Sequence, residues 1–218
     1  MLKYYMENYW NKRFIKEKFM WGIEPSKVAV ECEKYFSKNN VKNILVMGIG
    51  YGRNGKYFIE KGYSVDGVEN SEVAINLGKI FCQEINYIYG SVFDIKLDKK
   101  YDAIFCYSIL HLFEEKARNK LLQNCMDHCK DNGIIVVSSF SIKDKTYGKG
   151  KKIEENTFEV KEGKIVHFYS EEEIKNIHKN LENITIDYSI EEVETEERKE
   201  EYKMIYGIYK MRKSKTSA

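Results

Sequence analysis

The sequence predicts an α/β fold in which parallel strands alternate with crossover helices and the sheet ends in an antiparallel hairpin. Three observations carry this reading. From residue 43 to residue 140, short β-rich apolar runs alternate with longer segments of helical period. A cluster of glycines follows the first of those runs. The last two alternating runs follow one another directly, and a parallel return would need a crossover.

In chain order, an aromatic and basic opening contains Tyr4, Tyr5, Tyr9, Trp10, Phe14, Phe19 and Trp21. Residues 1–40 are expected to form a helical cover, packed on the core or closing over a ligand. Strands are predicted at Asn43–Met47, Tyr63–Glu69, Asn86–Tyr89, Tyr101–Tyr107 and Gly133–Phe140, with helices at Arg53–Lys61, Glu72–Glu84 and Glu114–Cys129. The last helix has Ala117, Leu121, Leu122, Cys125 and Cys129 at helical spacing. Ser141 to Gly163 is rich in Lys, Gly and Glu without a period. Residues 141–169 are therefore read as a long loop on the substrate side of the sheet. Ser170-Glu171-Glu172-Glu173 is a capping-box signature opening a helix to about Leu181. The runs Asn183–Val193 and Tyr202–Met211 form the hairpin, followed by a basic tail with Lys210, Arg212, Lys213 and Lys215.

The chain reads as a single domain of 218 residues, long enough for a substantial core. Its 36 Lys and Arg nearly balance 34 Asp and Glu, and arginine occurs only at 13, 53, 118, 198 and 212. Electrostatics gives no reason to expect nucleic acid. The longest apolar runs are far shorter than the ~20 residues that span a bilayer, and the first residues lack a signal-peptide core, so a cytoplasmic, non-membrane protein is expected. Five cysteines without framework spacing read as reduced thiols. Cys125 and Cys129 share a helical face, but His128 points away from it, and no metal is expected.

The segment Ile44-Leu45-Val46-Met47-Gly48-Ile49-Gly50-Tyr51-Gly52-Arg53-Asn54-Gly55 is a buried strand running through glycines into a helix. It satisfies Gly48-x-Gly50-x-Gly52 and also Gly50-x-Gly52-x-x-Gly55, the dinucleotide fingerprint, and in either case a nucleotide lies over the turn. Glu69 ends the second strand about 20 residues beyond the first glycine, where a carboxylate can accept ribose hydroxyl protons.

With Trp21-Gly22-x-Glu24-Pro25-Ser26 ahead of Gly-x-Gly-x-Gly-Arg-Asn, the chain resembles a class I S-adenosylmethionine-dependent methyltransferase of the branch containing the tellurite-resistance and thiopurine methyltransferases. The resemblance spans roughly Tyr9 to Gly133 by motif. It implies a doubly wound, Rossmann-like, seven-stranded mainly parallel sheet whose last strand is antiparallel, and S-adenosyl-L-methionine as cofactor with S-adenosyl-L-homocysteine as product. On that resemblance Gly48, Gly50 and Gly52 face the methionine and ribose, Glu69 the ribose hydroxyls, and Asn70, Ser91, Val92 and Phe93 the adenine. Trp21 covers the methionine end and Tyr107 walls the reactive methyl. Many relatives carry Asp or Glu where this chain has Val46, a residue that helps hold the cofactor's amino group.

A sulfonium methyl is already electrophilic, so the transfer requires mainly an aligned nucleophile in a dry site. An alcohol or phenol acceptor would also need a base, for which Tyr107 and His111 are the first candidates and His167 and Tyr169 the next. The expected function is methyl transfer to a small-molecule acceptor by in-line displacement. The alternatives are a nicotinamide-dependent oxidoreductase, which the second glycine template allows and the terminal hairpin opposes, and a non-catalytic S-adenosylmethionine-binding protein.

Overall fold

The computed structural model describes residues 2–195 and 198–213; Lys215 of the basic tail lies outside them. Two helices come first, α1 (Leu2–Glu17) and α2 (Lys27–Lys38), the latter capped by Ser26, whose Oγ accepts from the Ala29 N–H. The central series is β1 (Asn43–Met47), α3 (Arg53–Glu60), β2 (Ser64–Glu69), α4 (Glu72–Phe81), β3 (Asn86–Tyr89), β4 (Tyr101–Tyr107), α5 (Glu115–His128) and β5 (Cys129–Phe140). Short strands β6 (Lys151–Glu154), β7 (Thr157–Lys161) and β8 (Lys164–His167) precede helix α6 (Glu171–Lys175), and the hairpin strands β9 (Leu181–Thr195) and β10 (Arg198–Met211) end the fold.

Seven strands form one sheet in the order β3-β2-β1-β4-β5-β10-β9, in which β10 alone runs against the rest. The central strands are buried on both faces, as parallel strands covered by helices must be. Leu45, Met47, Ile104, Cys106, Ile135 and Val137 point toward α5 and α6, while Ile44, Val46, Ala103, Phe105, Ile134 and Val136 point toward α2 and α3. The order reverses between β1 and β4. Their C-terminal loops diverge there and leave the crevice in which ligands of such sheets bind.

Two expectations are corrected. The long loop over 141–169 is instead largely a three-stranded antiparallel sheet, β6-β7-β8. Its strands have four or five residues and carry exposed Lys and Glu, which hid their alternation, and only Phe158, Val166 and Phe168 anchor it as a buried cluster. The helix after Ser170 stops at Lys175. The capping box is present in full, with Glu173 N–H donating to Ser170 Oγ at 3.1 Å and Ser170 N–H to Glu173 Oε2 at 3.0 Å.

Candidate active site

The glycine turn sits at the crevice because its backbone must reverse between β1 and α3 in little space. Gly48, Gly50 and Gly52 all have positive φ, at 69°, 59° and 91°. At Gly48 a Cβ would also meet Ile109 Cδ1 at 2.5 Å, so the β4 loop closes directly over the turn. Ser108, beside Ile109, is a non-glycine residue in the left-handed region (φ 54°), the kind of strained position that clusters at functional sites.

Glu69 organises this turn. Its Oε2 accepts the Gly50 N–H at 2.8 Å, and its Oε1 accepts the N–H groups of Asn70 and Ser71, each at 2.9 Å. Burial pushes its carboxyl above the ordinary value, and the three N–H donors oppose that shift. With one donor on Oε2, that oxygen keeps a lone pair for a ligand hydroxyl.

The N-terminal cover is fastened to the same turn by three of its side chains. Tyr51 Oη donates to Gly22 O at 2.6 Å, Arg53 Nη1 to Trp21 O at 2.9 Å, and Asn54 Oδ1 accepts the Ser26 N–H at 2.8 Å. The Tyr51 ring packs edge-on against Phe14 and Phe19, and Arg13 lies over the rings of Trp10 and Trp21 at 5.7 and 5.9 Å. The aromatic opening therefore packs on the core and walls the crevice as well; the side chains of Tyr4 and Tyr5 lie outside the described residues. Asn124 of α5 donates to Val92 O at 2.7 Å and Ser91 Oγ accepts the Phe93 N–H at 3.3 Å, which fixes the loop after β3.

The crevice is a cavity of about 790 Å³, within the roughly 300–1,000 Å³ of small-molecule sites. Trp21, Gly48, Gly50, Gly52, Glu69, Asn70, Ser91, Val92, Phe93 and Tyr107 all line it. Its lining also includes an apolar wall of Phe140, Ile153, Ile165, Tyr202 and Met204 from β5, the small sheet and β10. Sequence reading did not name this wall, since its residues come from three segments with no common motif.

His111 is not on that lining. It is buried, its ring stacks edge-on against Phe140 (4.6 Å between centroids), and its Nδ1 has no hydrogen-bond partner among the described residues. Burial, with Lys164 and His167 nearby, pulls it down to about 3, so it is neutral. His167, at the end of β8, and Tyr169 are likewise buried, and His167 Nδ1 meets Thr157 Oγ1 of the neighbouring strand at 2.8 Å.

Tyr107 does face the cavity, but its proton is committed. Its Oη donates to Glu191 Oε2 at 2.7 Å, and burial followed by the Glu191 charge raises the phenol well above its ordinary value. Glu191 also pairs with Arg53, whose guanidinium lies 5.8 Å from the Tyr107 ring centroid. The two side chains of this ion pair are only 11% and 9% exposed. Glu191 lies on the hairpin, 138 residues from Arg53, and no spacing rule links the two. The alternation of Ile184, Ile186, Tyr188 and Ile190 puts Glu191 on the other face of the run, so the sequence offered no signal for its burial.

His128 accepts the Leu97 N–H at Nε2 (3.1 Å), so its proton sits on Nδ1, facing Asn124 O at 2.8 Å. The thiols of Cys125 and Cys129 are buried and raised above their ordinary value. Among the described residues no group of three or more His, Cys, Asp or Glu is placed to hold a metal, and no helix is long and apolar enough to cross a membrane.

A seven-stranded sheet with one reversed strand, and a glycine turn and strand-end carboxylate over its switch point, defines the class I methyltransferase fold. Comparison with known proteins agrees: residues 44–133 match the family model of a methyltransferase domain. The match covers less than half of the chain, and the chain shares its fold with solved S-adenosylmethionine-dependent methyltransferases. It is 24% identical over 150 residues to a ubiquinone biosynthesis O-methyltransferase of Rickettsia felis, covering 66% of this chain and 60% of that protein. The chain thus aligns with less than two thirds of the length of that relative. Among solved structures, it is similar at a TM-score of 0.78 and 14% identity to a chain from work on converting a disulfide bond into a thioacetal group during echinomycin biosynthesis, covering 97% and 94% of the two chains. A 1,6-didemethyltoxoflavin N1-methyltransferase of Burkholderia thailandensis, solved with 1,6-didemethyltoxoflavin and S-adenosylhomocysteine, matches at 0.69 and 14% identity over 95% and 88%.

Proposed function

We propose that this protein transfers the methyl group of S-adenosylmethionine to a small-molecule acceptor. The observation that carries the reading is one cavity whose lining includes both the glycine turn with Glu69 and an apolar wall of Phe140, Tyr202, Met204 and Ile165, which we read as a cofactor limb and an acceptor limb. The first limb fits the cofactor: its glycine backbone admits close approach, and Glu69 Oε2 keeps a lone pair for a ribose hydroxyl. Bound there, the cofactor supplies an electrophilic methyl.

This chain's own residues do the rest. Val92 and Phe93 offer a surface for the adenine, and Trp10, Phe14 and Trp21 shield the site from water. Tyr107, held by Glu191, fixes the wall between the limbs. The aromatic and aliphatic second limb suits a flat, largely apolar acceptor. The Rickettsia relative named for O-methylation in ubiquinone biosynthesis and the neighbour solved with 1,6-didemethyltoxoflavin are consistent with a small-molecule acceptor. We place the protein in the cytoplasm, acting on a diffusible substrate.

The test is incubation with methyl-labelled S-adenosylmethionine and a panel of phenols, aromatic amines, thiols and chalcogen compounds, resolved by mass spectrometry. Label in an aromatic acceptor supports the reading. S-adenosylhomocysteine binding without any labelled product would favour the non-catalytic alternative.

A further inference from the structure

The cavity holds a buried ion pair that the transfer reaction does not use. Arg53 and Glu191 both line it, and both side chains are close to nine-tenths buried. Burying two charges costs more than a hydrophobic pair of the same volume unless further partners use them. Both ions are held in place from outside the pair: Arg53 Nη1 by the carbonyls of Trp21 and Glu24, at 2.9 and 3.4 Å, and Glu191 Oε2 by the Tyr107 hydroxyl at 2.7 Å. The pair is thus aimed, at the place where the cover, the glycine turn and the end of β4 meet.

The remaining charges of the lining serve elsewhere. Glu69 is engaged by three backbone N–H groups, while Asp94, Glu114, Lys116 and Lys120 are exposed to solvent, and Glu159 lies on the small sheet. No carboxylate comes from β1, whose cavity-facing residue is Val46. Glu191 therefore has more spare acceptor capacity than Glu69, whose one remaining site faces the ribose position, because its two oxygens offer about four acceptor sites and the Arg53 and Tyr107 contacts occupy two.

On the reading that S-adenosylmethionine binds here, we propose that the Arg53–Glu191 pair reads the zwitterionic amino-acid end of the cofactor. Glu191 accepts from its ammonium and Arg53 donates to its carboxylate. Two ions of opposite sign joined to a zwitterion alternate in charge, so each gains a second partner without losing the first. Because Glu191 belongs to β9 and Arg53 holds the cover, this contact would tie cofactor occupancy to the C-terminal hairpin and the N-terminal cover.

The test is calorimetric titration of wild-type protein and Glu191→Gln with three probes: S-adenosylhomocysteine, its deaminated analogue that keeps the carboxylate, and 5′-methylthioadenosine, which lacks the amino acid altogether. Glu191→Gln is expected to weaken S-adenosylhomocysteine about tenfold or more, the scale of a lost charged hydrogen bond. The other two probes are expected to bind the variant at least as well as wild type. Equal weakening of all three, or no change in any, overturns the proposal. Wild-type protein that binds none of the three overturns the cofactor reading itself. Circular dichroism melting monitors folding. If Glu191→Gln does not fold, wild-type protein that binds the deaminated analogue as tightly as S-adenosylhomocysteine overturns the proposal unaided.

Discussion

The Tyr107 hydroxyl donates to Glu191 at 2.7 Å, joining the end of β4 to the penultimate strand across 84 residues. Arg53 completes the contact from the start of α3, so a single carboxylate gathers the glycine turn, the sheet's switch point and the C-terminal hairpin. Tyr107→Phe removes one of two donors from a buried charge. It is expected to cost about 1–3 kcal/mol in urea unfolding with an unchanged m-value. A stability within about 0.5 kcal/mol of wild type, the range of an ordinary surface substitution, would show that the hydrogen bond is not part of the folded framework.

Asn54 ties the cover to the turn through the buried Ser26 N–H. Asn54→Ala leaves that donor unsatisfied and should cost about 1–3 kcal/mol. The chain has two tryptophans, and both Trp10 and Trp21 lie on the cover and line the cavity. Their emission should shift to the red in Asn54→Ala as the cover loosens, before global unfolding. Unchanged emission would detach Asn54 from the cover.

Glu173 gives a pH dependence with a definite sign. Burial pushes its carboxyl up, but His167 and the Ser170 N–H outweigh that and hold it at about 2, against an ordinary value of 4.5. A depressed carboxyl stabilises the fold above its unfolded value and loses that contribution as pH falls. The stability advantage of wild type over Glu173→Gln should therefore shrink between pH 4.5 and pH 2. Since the side chain is 38% exposed, solvent screening limits the effect to about 1 kcal/mol or less. Parallel denaturation curves at several pH values check it, and a constant difference would contradict it.

Met204 of β10 lines the cavity with Phe140 and Tyr202, on the wall we assign to the acceptor. Met204→Trp should fill the acceptor limb, leaving S-adenosylhomocysteine affinity within about twofold of wild type while removing methyl transfer to any acceptor found by screening. Equal loss of cofactor affinity would mean that the two limbs are one site.

Much of this was legible in the sequence, and the failures have physical causes. Asn43–Met47, Asn86–Tyr89 and Tyr101–Tyr107 were read with the bounds the structure gives: the first and third are buried parallel strands, which are continuous apolar runs between polar turns, and the second is a short aromatic and β-branched edge strand. The glycine turn was visible because positive φ demands glycine at three alternate positions. The small sheet was not, since its strands are short and half exposed. His111 was expected on the ligand side from its place just beyond β4, but position along a strand end does not set which way a ring turns; its ring packs edge-on against Phe140, which lines the cavity where His111 does not. Arg53 was in view as part of a motif, yet its partner Glu191 was not, because local patterns carry no information about contacts 138 residues apart.

The central claim is that the crevice binds S-adenosylmethionine rather than a nicotinamide dinucleotide. Calorimetric titration with S-adenosylhomocysteine and with NADH tests it most directly. One-to-one binding of S-adenosylhomocysteine, weakened by about 1–3 kcal/mol in Glu69→Ala and with no heat from NADH, is the predicted result. Binding of NADH alone would contradict it.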